Sequence, residues 1–402
     1  MTPTALVAIP DGSILTLNGG SSSIKFALFA GNGPERIWSG TLDRIGPHAR
    51  LRSGSAYMSQ AAVLAPDYAA AIERVLEHIS TAMGRFRPSA IGHRIVHGGP
   101  EFAAARLLDP ETIAALCQLA PLDPEHMPPE LALVEAATRC FPGVPQIACF
   151  DTAFHHDLPR LSQMLAIPRR YQQGCVRRYG FHGLSYEYLT HELRRLAGDG
   201  AAHGRVILAH LGSGSSLSAV HNGRPVDTSM GFTPASGVMM ATRSGDVDPG
   251  LGAYLARSHA ITPAQFDHML SFESGLLGIS ETSGDMRDLL ASAPEDPRAA
   301  EAIGLYCHLI KQRIGAFAAT LGGLDTLVFT GGIGENAPSV RAAICDGLGF
   351  LGIIIDAGRN AIGASIISAD HAAATVRVIP TDEEIMIARL VGDFIAPGQM
   401  AG

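Results

Sequence analysis

Two arginines stand in glycine-rich settings that suit them to an anion in transit. Arg94 lies in Gly92-His93-Arg94-Ile95-Val96-His97-Gly98-Gly99 at the end of an apolar run, and Arg243 in Ala241-Thr242-Arg243-Ser244-Gly245-Asp246-Val247-Asp248-Pro249. Two guanidinium forks on one phosphoryl group would offset the repulsion between an anionic donor and an anionic acceptor while donating several hydrogen bonds. Either arginine alone is explained as well by a surface charge or a carboxylate partner, and the glycines around both point to a site. Asp151, in Cys149-Phe150-Asp151-Thr152-Ala153-Phe154-His155, directly follows an apolar strand. There a carboxylate can hold Mg²⁺ or its water shell, or cap a helix. Ile379-Pro380-Thr381-Asp382-Glu383-Glu384 offers a further magnesium ligand, or a Thr381-capped helix with acids in its first turn; both readings can hold at once. Arg178-Tyr179-Gly180-Phe181-His182-Gly183 sets a ring beside a histidine between glycines, a pocket wall next to a phosphate donor.

The elements that must position these groups are marked by two Gly/Ser turns. Ile14-Leu15-Thr16-Leu17-Asn18-Gly19-Gly20-Ser21-Ser22-Ser23-Ile24-Lys25-Phe26-Ala27-Leu28-Phe29 runs as strand, turn and strand. Its glycines let backbone N–H groups approach an anion, its serines add donors, and Asn18 offers an amide oxygen to a metal or its water. Lys25 is one of only two lysines in the chain, so an ammonium beside this turn stands out. About half a chain later, Val206 to Val220 repeats the pattern through His210-Leu211-Gly212-Ser213-Gly214-Ser215-Ser216. Each copy is followed by a polar turn (Gly31-Asn32-Gly33 and Asn222-Gly223-Arg224) and another extended segment, so the repeated unit is a three-strand meander and the chain a duplicated domain. A third glycine-rich element, Thr330-Gly331-Gly332-Ile333-Gly334-Glu335-Asn336, sits at a strand end leading into a helix, a position where nucleotides bind in α/β sheets. It is not a dinucleotide fingerprint, and no P-loop motif occurs.

At 402 residues, 47% hydrophobic, the chain can fill two cores. Strand patterns at 13–18, 23–30, 89–97 and 145–150 alternate with helical patterns at 67–83, 111–120 and 128–140. The second half begins near residue 155, with helices expected at 184–197, 248–272, 285–292, 297–321, from 337 and at 382–394, and strands at 205–228, 325–330 and 375–379. A net charge of −8 without a Lys/Arg cluster argues against nucleic acid or an anionic membrane as a partner. Six cysteines without metal-like spacing suggest free thiols in a reducing compartment. No secretory signal is evident in Met1 to Pro10 and no apolar run reaches membrane-spanning length, so a cytoplasmic protein is expected.

Taken in order, these motifs closely resemble those of the acetate kinase family, which shares its superfamily with sugar kinases, actin and the seventy-kilodalton chaperones. GHRIVHGG, FDTAFH, RYGFHG, DTSMGFTP, TRSGDVDP, SGDMRD, GGIGEN and PTDEE all match, with both Gly/Ser turns, over residues 13 to 394. The resemblance implies an α/β fold of duplicated ribonuclease-H-like, actin-like ATPase domains around a nucleotide cleft. Residues 1–154, joined by 382–402, would form the first domain and 155–381 the second. It further implies ATP or ADP as co-substrate, Mg²⁺ (or Mn²⁺), a small carboxylate substrate and a homodimer. Asn18, Asp151 and Glu383 would then organise the metal, Arg94 and Arg243 would hold the carboxylate and the transferring phosphoryl, and His182 would hydrogen-bond that phosphoryl, which makes Asp151, Arg94, Arg243 and His182 the catalytic set. Val96, Leu122, Phe181 and Pro234 would wall the acyl pocket. Lys25, His210, Leu211, Gly212, Ser213, Gly214, Asp285, Met286, Arg287, Gly332, Ile333, Gly334, Glu335 and Asn336 would contact the nucleotide.

Two departures from the family pattern bear on substrate. Asp123, in the rebuilt stretch Pro121 to Pro129, replaces a pocket-side histidine and would weaken binding of an anion unless it points away or pairs; Ser213 stands where asparagine is common. The rival readings are a propionate or butyrate kinase, a sugar or glycerol kinase, and a nucleotide-switched actin- or chaperone-like protein.

Overall fold

The computed structural model describes residues 10–20, 23–31, 35–55, 58–172 and 174–396. Ser21 and Ser22 of the first Gly/Ser turn, Asn32 and Gly33 of the turn after it, the first nine residues and the end of the 382–402 segment lie outside the described residues. The chain divides into two compact units, Met1–Ala153 with Asp382–Gly402, and Phe154–Thr381.

The first unit is built on eight strands: β1 (Ile14–Gly19), β2 (Ser23–Phe29), β3 (Arg36–Asp43), β4 (Arg50–Gly54), β5 (Met58–Ala62), β6 (Ala90–Ile95), β7 (Arg106–Leu107) and β8 (Gln146–Phe150). They lie in the order β5-β4-β3-β2-β1-β6-β8-β7. β1, β2 and β3 form an antiparallel meander, and β6 and β8 then add parallel to β1 and to each other. Every residue of β1 and β8 is buried. That is the environment of a strand covered on both faces, and it explains their largely apolar sequences. The helices Tyr68–Met83 and Met127–Cys140 bury one face each, and the first packs Ile72, Val75, Leu76 and Ile79 into a core with Phe26 and Trp38. On the sheet, a methyl at Gly92 would lie 2.5 Å from Cγ2 of Ile387 and 2.7 Å from Cγ2 of Val391. Only glycine lets the helix Glu383–Ile395 sit this close to β6, which is how the end of the chain joins its first half.

The second unit repeats the plan with β9 (Arg205–Leu211), β10 (Ser215–His221), β11 (Arg224–Thr228), β12 (Thr326–Thr330) and β13 (Thr375–Val378), in the order β11-β10-β9-β12-β13. Again an antiparallel meander is followed by two parallel strands. The correspondence of β1-β2-β3 with β9-β10-β11, and of β6 and β8 with β12 and β13, gives a duplicated actin-like α/β plan. The long helix Pro297–Leu321 buries Tyr306, Ile310, Ile314 and Phe317 against it.

Three features depart from the sequence expectation. The single helix expected over 248–272 is instead Gly250–His259, Pro263–His268 and a π-turn Met269–Glu273. Ala260 turns left-handed (φ 55°), and Thr262 with Gln265 forms a capping box that starts a new helix at Pro263. The helix expected over 184–197 starts at Gly183 and extends to His203 through a break at Gly198. β4 and β5 add a polar hairpin at the sheet edge that the sequence pattern does not reveal.

Candidate active site

In each unit the predicted groups gather around the C-terminal ends of the central strands. In the first unit Asn18 lies one residue from the end of β1 and Arg94 one residue from the end of β6, Asp151 follows β8, and Glu383 opens the last helix. Arg94 is the hub. Its Nη1 donates to the Gly19 carbonyl (3.1 Å) and to Oε1 of Glu130 (2.9 Å), and its Nη2 to Oδ2 of Asp151 (3.0 Å). Glu130 gives its second oxygen to the backbone N–H of Val96 (2.7 Å). The side chains of Glu130 and Asp151 are 4% and 0% exposed, against 13% for Arg94. Burial pushes the Glu130 carboxyl up to about 8, against the pull of Arg94 and of the Val96 amide. Asn18 donates its amide N–H groups to Oε2 of Glu383 (2.9 Å) and Oε1 of Glu384 (3.1 Å), which leaves its carbonyl oxygen as acceptor. Lys25 lies 3.9 Å from Glu384, whose charge holds the ammonium above the usual lysine range.

Val96 is buried and Leu122 half-buried. Asp123 is buried and pairs: its Oδ1 meets Nδ1 of His126 (2.8 Å) and the His126 N–H (3.2 Å). Burial pushes its carboxyl up, but the hydrogen bonds and charge of His126 outweigh this and hold it below the usual range. Asp123 therefore carries its own partner three residues on. Oδ2 of Asp123 is buried with no hydrogen bond among the described residues.

In the second unit His182 begins the helix Gly183–His203 in the left-handed region (φ 59°), a conformation that costs a non-glycine residue roughly 1–3 kcal/mol. Its Nδ1 meets Oγ of Ser216 (2.8 Å), which also meets the Tyr186 hydroxyl (2.5 Å). When Tyr186 donates to Ser216 and Ser216 to Nδ1, the ring proton resides on Nε2. Nε2 faces the second Gly/Ser turn: a methyl at Gly214 would lie 3.1 Å from it and 3.6 Å from Nη2 of Arg243. Arg243 donates to the Pro234 carbonyl (2.9 Å), and the Ala241 N–H to the Ser213 carbonyl (3.1 Å), so the arginine loop is tied to that turn. Phe181 is buried and Pro234 half-buried.

His182 stacks on His210 (ring centroids 4.3 Å apart), whose Nδ1 meets Ser185 Oγ (2.8 Å), itself 2.8 Å from the Thr381 hydroxyl. The Thr381 N–H donates to Oε1 of Glu335 (3.1 Å), which also takes the Gly331 N–H (2.8 Å) and the Thr330 hydroxyl (3.2 Å). Glu335 thus shapes the glycine turn with its carboxylate, while Gly332 and Asn336 are exposed and Ile333 and Gly334 buried. Gly331 requires glycine: its φ is 77°, and a methyl would lie 2.7 Å from the Leu211 carbonyl oxygen. Asp285 caps the helix Met286–Ser292 and pairs with exposed Arg287, with Met286 buried beneath.

Sequence reasoning missed Glu130, Glu384, Ser185 and Ser216. A signal for Glu130 exists, because with Met127, Leu133, Val134 and Ala137 it falls on the buried stripe of its helix, where a carboxylate needs a partner. Among the described residues no group of three or more His, Cys, Asp or Glu side chains could by itself hold a metal ion. The all-oxygen donors Asn18, Asp151 and Glu383 nonetheless fit Mg²⁺, which binds through one or two carboxylates, retained waters and substrate phosphates. Among the described residues, no helix is long and apolar enough to cross a membrane.

The Acetokinase family model matches residues 13–389. An acetate kinase of Rhodopseudomonas palustris is 44% identical over 388 residues, covering 94% of this chain and 97% of that protein. A propionate kinase of Citrobacter rodentium is 43% identical over 385 residues, covering 94% and 95%. The crystal structure of Porphyromonas gingivalis acetate kinase superposes with a TM-score of 0.82 at 36% identity, covering 94% of this chain and 98% of that one. That of a propionate kinase from Francisella tularensis gives 0.86 at 33% identity, with the same coverage.

Proposed function

This chain belongs to the acetokinase family and is a phosphotransferase with a carboxyl acceptor, and on that premise we propose that it transfers the γ-phosphoryl group of ATP reversibly to acetate, giving acetyl phosphate and ADP. The observation that carries this reading is the state of Arg94. Three of its N–H donors are committed to Gly19, Glu130 and Asp151, while its Nε–H and one Nη2–H have no partner among the described residues. A carboxylate takes two adjacent N–H groups of a guanidinium as a matched pair.

A carboxylic acid is ionised at neutral pH, so it attacks phosphorus without a general base, whereas a sugar hydroxyl needs one. One carboxylate oxygen forms a bond to the γ-phosphorus as the bond from that phosphorus to the β,γ-bridging oxygen breaks. The electron pair leaves on ADP, and no proton is transferred. Catalysis then reduces to alignment and to neutralising charge on the three equatorial oxygens. Arg94 orients the acid, Val96, Leu122, Phe181 and Pro234 enclose its methyl group, and Arg243 and the Nε2–H of His182 donate to the phosphoryl oxygens. Lys25, His210 to Gly214, Asp285 to Arg287 and Gly332 to Asn336 hold the nucleotide, the last through a turn that Glu335 braces from within. Asn18, Asp151 and Glu383 would hold Mg²⁺ (or Mn²⁺), which when bound neutralises charge on the phosphate oxygens. We further propose a cytoplasmic homodimer.

A second reading, propionate as acceptor, is favoured by the name of the Citrobacter relative and by the rebuilt loop around Leu122 and Asp123. Both readings are tested by supplying ATP and Mg²⁺ with acetate, propionate, butyrate or glycerol, trapping acyl phosphate with hydroxylamine and following ADP release. Hydroxamate from acetate, at the highest kcat/KM of the series, is expected. ADP release without hydroxamate from any acid would exclude a carboxylate acceptor.

A further inference from the structure

We infer that Glu130 is a positioning residue for the phosphoryl acceptor: it clamps Arg94 to the β6 backbone so that the remaining N–H donors of the guanidinium face the acid. This rests on the proposed role of Arg94. Oε1 of Glu130 takes an N–H of Arg94 Nη1 at 2.9 Å and Oε2 takes the N–H of Val96 at 2.7 Å, so one carboxylate bridges an arginine and the backbone two residues further along the chain. With the Gly19 carbonyl on the same Nη1 and Asp151 on Nη2, the guanidinium is held from three directions. A long side chain with about 2 kcal/mol of rotamer entropy to lose is thereby ordered before substrate arrives.

Glu130 reaches this place because it projects from the buried face of the first turn of the helix Met127–Cys140, immediately after the rebuilt loop that contains Asp123. The same bond to the Val96 amide fixes the backbone of a pocket wall. Glu130 therefore couples the two things an acyl acceptor requires, a fixed cation and a fixed apolar surface, and does so without an atom committed to the nucleotide. Replacing it should damage use of the acid and spare ATP. Glutamine keeps the shape but offers one acceptor oxygen, and its NH₂ would confront either the Arg94 or the Val96 N–H, donor against donor. Aspartate keeps both oxygens and the carboxyl group but is one methylene shorter.

The test compares the wild type with Glu130→Gln and Glu130→Asp, measuring hydroxamate formation as a function of acid at saturating ATP and of ATP at saturating acid, with a thermal melt of each protein. For Glu130→Gln we expect kcat/KM for the acid to fall about 10–100-fold, as when a supporting group is removed. The KM for ATP should stay within about twofold, since the bonds of Glu130 itself go to Arg94 and the Val96 N–H and to no group assigned to the nucleotide, and Glu130→Asp should recover part of the loss. An unchanged kcat/KM for the acid would overturn the inference, as would a loss shared by the KM of ATP and scaling with a lowered melting temperature. Should Glu130→Gln not fold, Glu130→Asp decides alone: an acid-specific loss supports the clamp, and a wild-type kcat/KM refutes it. A wild type that forms no hydroxamate from any acid removes the carboxylate-kinase premise instead, a failure visible before any variant is compared.

Discussion

Replacing Arg94 with alanine should abolish transfer and, separately, expose how much of the first unit depends on one cation. The loss of turnover is expected to be about 10³-fold or more, by analogy with arginines that stabilise a phosphoryl group in transit. The stability effect follows from burial. Glu130 and Asp151, at 4% and 0% exposure, lose their cationic partner together, and breaking a buried pair from one side costs about 3–5 kcal/mol. At about 2–4 °C per kcal/mol for a domain of this size, the lower figure gives a fall in melting temperature of roughly 6–12 °C.

Glu130 makes this stability loss depend on pH. Its folded pKa is already raised by burial, and removing Arg94 takes away a group that lowers it. A carboxyl raised in the folded state contributes stability at low pH that is lost as pH climbs from its unfolded value through the folded one. The deficit of Arg94→Ala relative to wild type should therefore be larger at pH 8 than at pH 6. Differential scanning calorimetry of both proteins at the two pH values checks this. Equal melting temperatures at pH 8, or a deficit that does not shrink at pH 6, would show that Arg94 does not neutralise these carboxylates.

His182→Ala should lower kcat about 10²–10³-fold, the usual loss of one donor to a developing charge, and Ser216→Ala should reproduce part of that loss by freeing the ring, with both read from steady-state kinetics. Asp123→Asn should destabilise the fold by about 1 kcal/mol at neutral pH. Because the folded pKa of Asp123 is depressed, that difference should vanish as pH falls through the carboxyl range, visible in melts between pH 7 and pH 3. Gly331→Ala should raise the KM for ATP about tenfold or more, since left-handed backbone and a close carbonyl oxygen together force the nucleotide turn to move.

The duplicated meander is legible in the amino-acid sequence because two apolar strands, a Gly/Ser turn and an Asn-Gly or Gly-Asn turn recur in the same order, and local chemistry alone specifies them. The parallel strands are legible as apolar runs, but their neighbours are not, since pairing across long crossovers leaves no local mark. The helix expected over 248–272 breaks into three because apolar periodicity masks the Thr262-Pro263 start signal. Arg94 and His182 announce themselves by glycine settings and Asp151 by its place after an apolar strand, yet what holds each one does not. Glu130 reaches Arg94 from 36 residues away, and Ser216 reaches His182 from 34, distances that only the folded sheet closes. Asp123 looks in the sequence like a threat to anion binding, and its pairing with His126 becomes visible only once the helix start brings the two together.

The most direct test of direct transfer to a carboxylate uses acetate labelled with ¹⁸O in both oxygens, with ATP, Mg²⁺ and hydroxylamine. Attack by acetate on the γ-phosphorus places one acetate oxygen in the bridge of acetyl phosphate, and hydroxylamine then cleaves at the carbonyl carbon. The released phosphate should carry one ¹⁸O, seen as an isotope shift of its ³¹P resonance. Phosphate released in step with ADP but without ¹⁸O would mean that water is the acceptor, and Arg94, Arg243 and His182 would then belong to a nucleotide hydrolase and not to an acyl kinase.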